Sequence, residues 1–375
     1  MNILFSFVGG FGHYELLRPI ALAALARGHD VTVACHPGMV ATVAVDGFAL
    51  VPVGDAVPEP ASITSLAAPD REHELDVVRT GFAGRTAHRR ALALRDVVAR
   101  LRPAALVCDE VDFGAALVAE EAGVPLAVVL ALAAGTFATP ELVAEPLAAV
   151  RSRLGMHVAP SAPHGCVVAP FPPSFRDPSR PLPDGAIAVR PSALDPATDD
   201  PSFEFPDDRP LVYATLGTIF NLESGDLFAR LIAGLGALDV AALVTVGRAI
   251  DPASLGAVPP NVRVERFVAQ SAVLPYARVV VSHGGSGSVI GALSHGVPSV
   301  LLPMGADQPD NAARCTALGV GIELDPVSAT PADIAKAVTA MLDDRGARDR
   351  AARLAAEAAA LPPASAVLDR LGASW

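Results

Sequence analysis

Two histidines stand where short apolar runs give way to glycine. His13 follows Gly9-Gly10-Phe11-Gly12 after the run Ile3 to Val8, and His283 follows Val279-Val280-Val281-Ser282 and precedes Gly284, Gly285, Ser286, Gly287 and Ser288. An imidazole takes up a proton near neutral pH, and a carboxylate beside it fixes its tautomer and stabilises the imidazolium, which makes a general base. Asp109 stands directly after another apolar run, Ala104 to Cys108, and is a candidate for that carboxylate. Around His283 the chemistry differs. Glycines let backbone approach a ligand, the first helical N–H groups have no internal partner, and the helix dipole adds partial positive charge. An anion such as a pyrophosphate suits that place, with the hydroxyls of Ser286 and Ser288 as further donors. The same residues also fit a plainer account, in which His13 and Asp109 cap helices and the glycines only make a tight connection.

Other chemistries fit less well. No GKS or GKT follows the glycines as in a P-loop, and there is no GxSxG nucleophile. No cysteine has a helix-start or basic context that would activate it, and His283 and His295 have no third metal ligand at useful spacing. Gly9, Gly10 and Gly12 do not form GxGxxG, and Cys35-His36 stands where a dinucleotide site places an acid for the ribose. Asp307-Gln308-Pro309-Asp310-Asn311 offers polar side chains to a hydroxyl-rich group, or else a helix-capping turn.

The elements that must position these groups alternate. Ile3 to Val8 reads as a strand; Leu16, Leu17, Ile20, Ala21, Ala24 and Leu25 repeat at helical spacing until Gly28; Val31 to Cys35 is a second strand. In such a βαβ unit the turn lies at the carboxyl end of parallel strands, where open α/β sheets bind ligands. Gly54 to Asp70, rich in Pro, Ala and Ser, reads as a mobile surface loop. Leu75 to Leu101 reads as helix, and strands at Ala104 to Cys108 and Leu126 to Leu130 follow, with Phe113 to Ala122 helical between them. Five prolines and five aspartates crowd Pro191 to Pro210, which reads as a linker, and a second alternating series starts at Leu211. The expected plan is an N-terminal domain over 1–190, a linker over 191–210, a C-terminal domain over 211–360, and a segment 361–375 packing back on the first domain. Two doubly wound halves of this kind leave a cleft between them.

Composition bounds the function. With 375 residues, 51% of them hydrophobic and 18% charged, the chain can build two packed domains. A net charge of −12 argues against nucleic-acid and anionic-membrane partners, which need clustered Lys and Arg, and favours a small-molecule ligand. Cys35, Cys108, Cys166 and Cys315 show no paired spacing and read as buried thiols of a reducing compartment. The start MNILFSFVGG reads as a first strand, not a signal peptide, and Val124 to Ala134 is too short to span a bilayer, so the expected location is the cytoplasm.

Four stretches together resemble one family. GHYELLRPIALAALARGHDVTV resembles the first βαβ unit of the inverting family 1 glycosyltransferases, and FVAQSAVLPYARVVVSHGGSGSVIGALSHGVPSVLLPMGADQPDNA resembles their nucleotide-sugar signature nearly end to end. LVCDEVDFGAALVAEEAGVP is similar to their aspartate segment, and VYATLGTIFN to the strand and turn that open their second domain. The resemblance implies an α/β GT-B fold of two Rossmann-like domains, with the acceptor in the first and the activated sugar in the second.

Carried over position by position, His13 is the base for the acceptor hydroxyl and Asp109 its partner. Phe267 takes the place of the residue that stacks on the nucleobase, with Val268 beside it, and Gln270 that of the glutamine near base and ribose. His283, Gly285, Ser286, Gly287 and Ser288 would hold the pyrophosphate with Thr218, while Asp307 and Gln308 would contact sugar hydroxyls. No metal and no cofactor is implied; the nucleotide sugar is a co-substrate, and the chain would act as a monomer or homodimer. Gly291 replaces a glutamate that binds ribose hydroxyls in plant members, which favours a dTDP-deoxysugar over a UDP-sugar. Ala269 stands for the usual proline, and Tyr14-Glu15 for an Asn–Pro context. Phe11, Tyr14, Phe82, Phe113 and Phe137 are candidate walls for an apolar acceptor, with core packing the competing role. The competing functions are a nucleotide-sugar 2-epimerase, which needs further carboxylates, and a non-catalytic nucleotide-sugar-binding helper, which needs neither His13 nor Asp109.

Overall fold

Short runs of Val, Ile, Leu and Ala with little alternation suit strands covered on both faces, the condition of a parallel sheet. The computed structural model describes residues 1–54, 63–156, 165–194 and 208–372. They divide into two units, one within Met1–Pro58, Glu72–Ser192 and Leu361–Trp375, the other within Glu59–Arg71 and Ala193–Ala360.

The first unit holds a seven-stranded sheet: β1 (Asn2–Ser6), β2 (Asp30–Cys35), β3 (Ala49–Pro52), β4 (Ala105–Asp109), β5 (Leu126–Val129), β6 (Gly165–Ala169) and β7 (Ile187–Ala188). Their order is β3-β2-β1-β4-β5-β6-β7, and every pairing is parallel. Two apolar clusters cover its faces, one around Phe5, Tyr14, Leu17 and Val107, the other around Leu4, Leu94, Leu106 and Val118. The chain runs outward from β1 to β2 and β3, then returns to place β4 on the other side of β1. That reversal is a topological switch point, where the loops leaving adjacent strands diverge and open a crevice.

The second unit repeats the plan with six strands: β8 (Leu211–Thr215), β9 (Ala241–Thr245), β10 (Val262–Glu265), β11 (Ala277–Ser282), β12 (Ser299–Leu301) and β13 (Gly321–Glu323). Their order is β10-β9-β8-β11-β12-β13, again all parallel, with the switch point between β8 and β11. The expectation of two doubly wound α/β units is met.

Two local readings need correction. The helical stretch expected over Leu75 to Leu101 starts at Arg71 and is regular only at its ends, Arg71–Asp76 and Ala87–Leu101; Val77–Thr86 between them is wound as a π-helix. The expected mobile loop, Gly54 to Asp70, falls partly outside the described residues, but its second half is anchored on the second unit. The Thr64 N–H donates to the Leu222 carbonyl and the Gly225 N–H to the Thr64 carbonyl, while Ile63 and Leu66 pack against that unit's core. Of the expected linker, residues 195–207 lie outside the described residues.

Candidate active site

At the β1/β4 switch point the chain turns through Gly9 and Gly10 into the helix Phe11–Ala26, which carries His13 in its first turn. Gly9 is required twice over. Its φ is +102°, and a Cβ there would lie 2.7 Å from the His13 ring. Asp109 ends β4 fully buried, and its carboxylate is gripped by backbone: Oδ2 accepts from the Val8 N–H at 2.7 Å, Oδ1 from Val111 at 2.7 Å and Asp112 at 3.1 Å. Those amides hold the carboxylate in place and compensate its desolvation. His13 Nδ1 stands 3.6 Å from Asp109 Oδ2, with 23% of the His13 side chain exposed. The separation exceeds a hydrogen bond, as is common for catalytic pairs without substrate. Sequence reasoning brought these residues together, and the fold places them together.

A buried ion pair behind them had no sequence signal. Arg90 donates to both oxygens of Asp112 at 2.9 and 2.7 Å and to Ser6 Oγ at 2.7 Å. Asp112 Oδ1 also caps the helix Phe113–Ala122 through the Ala115 N–H. The network ties β1 to the turn after Asp109.

At the β8/β11 switch point the groups are different. The helix Ser286–Ser294 starts after the extended N-cap Gly285. The His283 ring lies between two glycines: a Cβ on Gly217 would meet it at 2.7 Å and one on Gly285 at 2.5 Å. Burial pushes the His283 imidazole down to about 4, opposed by a hydrogen bond with the Thr215 backbone. It is therefore neutral at physiological pH. Thr218, exposed, follows Gly217 on the turn after β8, and Gly287 has open space where a Cβ would stand. Behind the helix start, Asp307 Oδ2 accepts from Ser286 Oγ at 2.6 Å and from Asn311 Nδ2 at 2.8 Å, and Asn311 also donates to the Gly284 carbonyl at 2.9 Å. Burial raises the Asp307 carboxyl, and these two side-chain bonds counter it.

The remaining candidates separate. Gln308 is buried and its Oε1 accepts from the Met304 N–H at 2.7 Å and from Gly305 at 3.3 Å, so it ties the turn before its own helix. Gln270 Nε2 lies 3.4 Å from Ser288 Oγ, and its Oε1 fills the space beside Gly291, where a Cβ would lie 3.1 Å away. Phe267 is 41% exposed, with the Arg248 guanidinium 4.3 Å above its ring, beside a cavity of about 740 Å³ lined also by Asp251, Pro252, Glu265 and Arg266. Val268 packs against the second unit's core. Among the acceptor candidates Tyr14 is corrected: it is 2% exposed, stacks near Phe7 and bonds through its hydroxyl to Asp46, which Arg18 also grips. Its side chain belongs to the core. Phe137 is buried, and Phe11, Phe82 and Phe113 are half-buried. No helix among the described residues is long and apolar enough to cross a membrane, and the four cysteines are buried free thiols.

Residues 229–373 match the family model described as erythromycin biosynthesis protein CIII-like, C-terminal domain. The 4′-demethylrebeccamycin synthase of Lentzea aerocolonigenes is 29% identical, aligned over 96% of this chain and 96% of that one. The L-demethylnoviosyl transferase of Streptomyces niveus is likewise 29% identical, over 100% of this chain and 98% of that one. Among solved structures, the Streptomyces sp. SF2575 glycosyltransferase SsfS6, complexed with thymidine diphosphate, is 27% identical with a TM-score of 0.77 and 98% of each chain covered. In its two switch-point sheets and along nearly its whole length, the chain is thus similar to GT-B glycosyltransferases of antibiotic and other natural-product type.

Proposed function

We propose that this protein is an inverting glycosyltransferase, moving a sugar from a nucleoside diphosphate, dTDP before UDP, to a hydroxyl of a small hydrophobic natural-product aglycone. The observation that carries the reading is the His13–Asp109 pair, a half-buried imidazole 3.6 Å from a carboxylate that three backbone amides hold in place. Nδ1 is the nitrogen that faces Asp109, so Nε2 is left to take the acceptor proton. The acceptor oxygen bonds to the anomeric carbon on the face opposite the departing diphosphate, the bond to that diphosphate breaks, and the configuration inverts.

The first unit takes the acceptor and the second the donor. The leaving diphosphate is received at Ser286, Gly287 and Ser288, where the helix N-terminus and its dipole favour negative charge. Neutral His283 serves there as a hydrogen-bonding group, and Thr218 adds a hydroxyl. Phe267 and Gln270 receive the nucleoside, and Gly291 gives a ribose 2′-hydroxyl no side-chain partner, which supports deoxyribose. Asp307 and Gln308 are the side chains assigned to the sugar hydroxyls, and the reaction proceeds without metal or cofactor in the cytosol.

Incubation with dTDP- and UDP-sugars and a panel of aromatic aglycones, following nucleoside diphosphate release, tests the reading. The expected result is glycoside of inverted configuration, at a rate unchanged by EDTA. Normal donor binding with no release would make the protein a non-catalytic helper and overturn it.

A further inference from the structure

Directly after Asp109, Glu110 sends its carboxylate into the loop that leaves the neighbouring strand. Glu110 Oε2 accepts from the Ala131 and Leu132 N–H groups, both at 2.9 Å. The same loop is gripped from its other side by Arg176, whose Nη1 donates to the Leu132 carbonyl at 3.0 Å and whose Nε donates to the Arg180 carbonyl at 2.9 Å. The guanidinium lies so close to the loop that a Cβ on Gly135, at φ +83°, would sit 2.1 Å from its central carbon. β5 pairs directly with β4, so this loop leaves the same carboxyl edge of the sheet as Asp109, next to the switch point. Between Leu130 and Phe137 the loop is apolar apart from Thr136 and carries no titratable side chain. An apolar loop fixed by two half-buried ionisable side chains beside a candidate base has the character of a wall for a hydrophobic acceptor.

We propose that Glu110 is a positioning residue: with Arg176 it fixes the loop Ala131–Phe137 as one wall of the acceptor site, without touching the reacting atoms. The inference rests on the glycosyltransferase reading for the identity of the acceptor, while the anchoring itself does not. Among the described residues, Arg176 from the segment after β6 and Asp109 from β4 act on Glu110 in opposite directions. Burial dominates and raises the Glu110 carboxyl to about 7, although the Leu132 and Ala131 amides oppose it. Burial also draws Arg176 down, and Glu110 partly restores it. Because the folded state holds its proton more tightly than the unfolded chain, Glu110 stabilises the fold below the ordinary glutamate range. That stability is lost as pH rises to about 7.

The test uses the full chain with Glu110→Ala and Glu110→Gln. Glutamine keeps an amide oxygen for Ala131 and Leu132 but cannot ionise. In Glu110→Ala, hydrogen exchange should quicken at residues 131–137 and stay unchanged at residues 283–290, while Glu110→Gln keeps wild-type protection. With the aglycone of the panel that turns over best, Glu110→Ala should raise the acceptor KM by about tenfold, a hydrogen-bond-sized effect, with kcat and thymidine diphosphate affinity within about twofold. Glutamine should rescue that KM, and the melting temperature of Glu110→Gln relative to wild type should increase from pH 5 to pH 8. Unchanged exchange in Glu110→Ala, or an equal loss of thymidine diphosphate affinity, overturns the proposal. Should no aglycone be turned over by the wild type, the function reading fails while the exchange result still decides the anchoring.

Discussion

Both switch points hold an imidazole pressed against glycine, yet the two imidazoles stand in opposite surroundings. At β1/β4, Gly9 lets His13 lie close to the turn, and a buried carboxylate stands 3.6 Å from its Nδ1. At β8/β11, Gly217 and Gly285 sandwich His283, no carboxylate among the described residues is placed against it, and burial pushes it down to about 4. A base must gain a charge during the reaction, so it needs a counter-charge already in position. A site for an anion that arrives charged is better served by fixed dipoles and neutral donors, which do not titrate in the working range. The difference lies in what surrounds each ring rather than in the ring itself.

Removing each imidazole's role should therefore have different signatures. His13→Ala should lower turnover by about 10³-fold, within the range of general-base catalysis, while thymidine diphosphate affinity measured by calorimetry stays within about twofold. Unchanged turnover would take the base role from His13. Gly285→Ala acts on the other site: its Cβ would stand 2.5 Å from His283 Nε2, so the ring or the helix start must shift. Thymidine diphosphate affinity should fall by about tenfold or more, since several hydrogen-bond donors lose their geometry at once, and the change should appear in the donor KM. An effect confined to the acceptor KM would break the comparison.

The sequence shows the fold well where elements are long and local. β1, β2, β4, β8, β9 and β11 are apolar runs of five or six residues closed by glycine or polar residues, and each lies where that pattern predicts it. β7 has two residues and β13 three, too short for a period to register. The attachment of Thr64 and Leu66 to the second unit depends on partners more than 150 residues away, for which local composition carries no signal. Within the site, His13 and Asp109 were legible because one opens the helix after a strand and the other ends a strand of the same parallel sheet. Of the two roles open to Tyr14, core packing follows from the helical face it shares with Leu17, Ala21 and Ala24, all buried. Arg90, which orders the turn after Asp109 through Asp112, was not legible: among the helix's several arginines nothing marks the one that is buried.

The neutrality of His283 can be tested through stability. Its folded pKa, about 4, lies below the ordinary histidine value of 6.5, so the unfolded chain binds a proton that the folded chain refuses in that interval. By linkage, the stability this group contributes is fully present above 6.5 and is lost as pH falls toward about 4. With allowance for its partial exposure, wild type should lose on the order of 1–2 kcal/mol from this group between pH 7 and pH 4.5. His283→Gln, which has no titrating ring, should show a smaller loss over the same interval in denaturant titrations. An identical pH dependence of the two proteins would mean that His283 is solvated and able to charge, and the contrast with His13 would be lost.

The smallest expected effect concerns the nucleoside. Gly291 leaves no side chain toward a ribose hydroxyl, and the Gln270 carboxamide now fills the space beside it, 3.1 Å from where a Cβ would stand. A Cβ would also lie 3.2 Å from Leu274 Cδ1, so Gly291→Glu needs small shifts of two side-chain ends, Gln270 and Leu274. A carboxylate accepting from a 2′-hydroxyl is worth about 1.5 kcal/mol at the lower end for a charged partner, or roughly tenfold. The crowding with Gln270 subtracts from this, so the ratio of UDP to dTDP affinity should rise about three- to tenfold in competition calorimetry. If both diphosphates weaken equally, residue 291 acts only by packing, and the proposed preference for deoxyribose loses its support at this position.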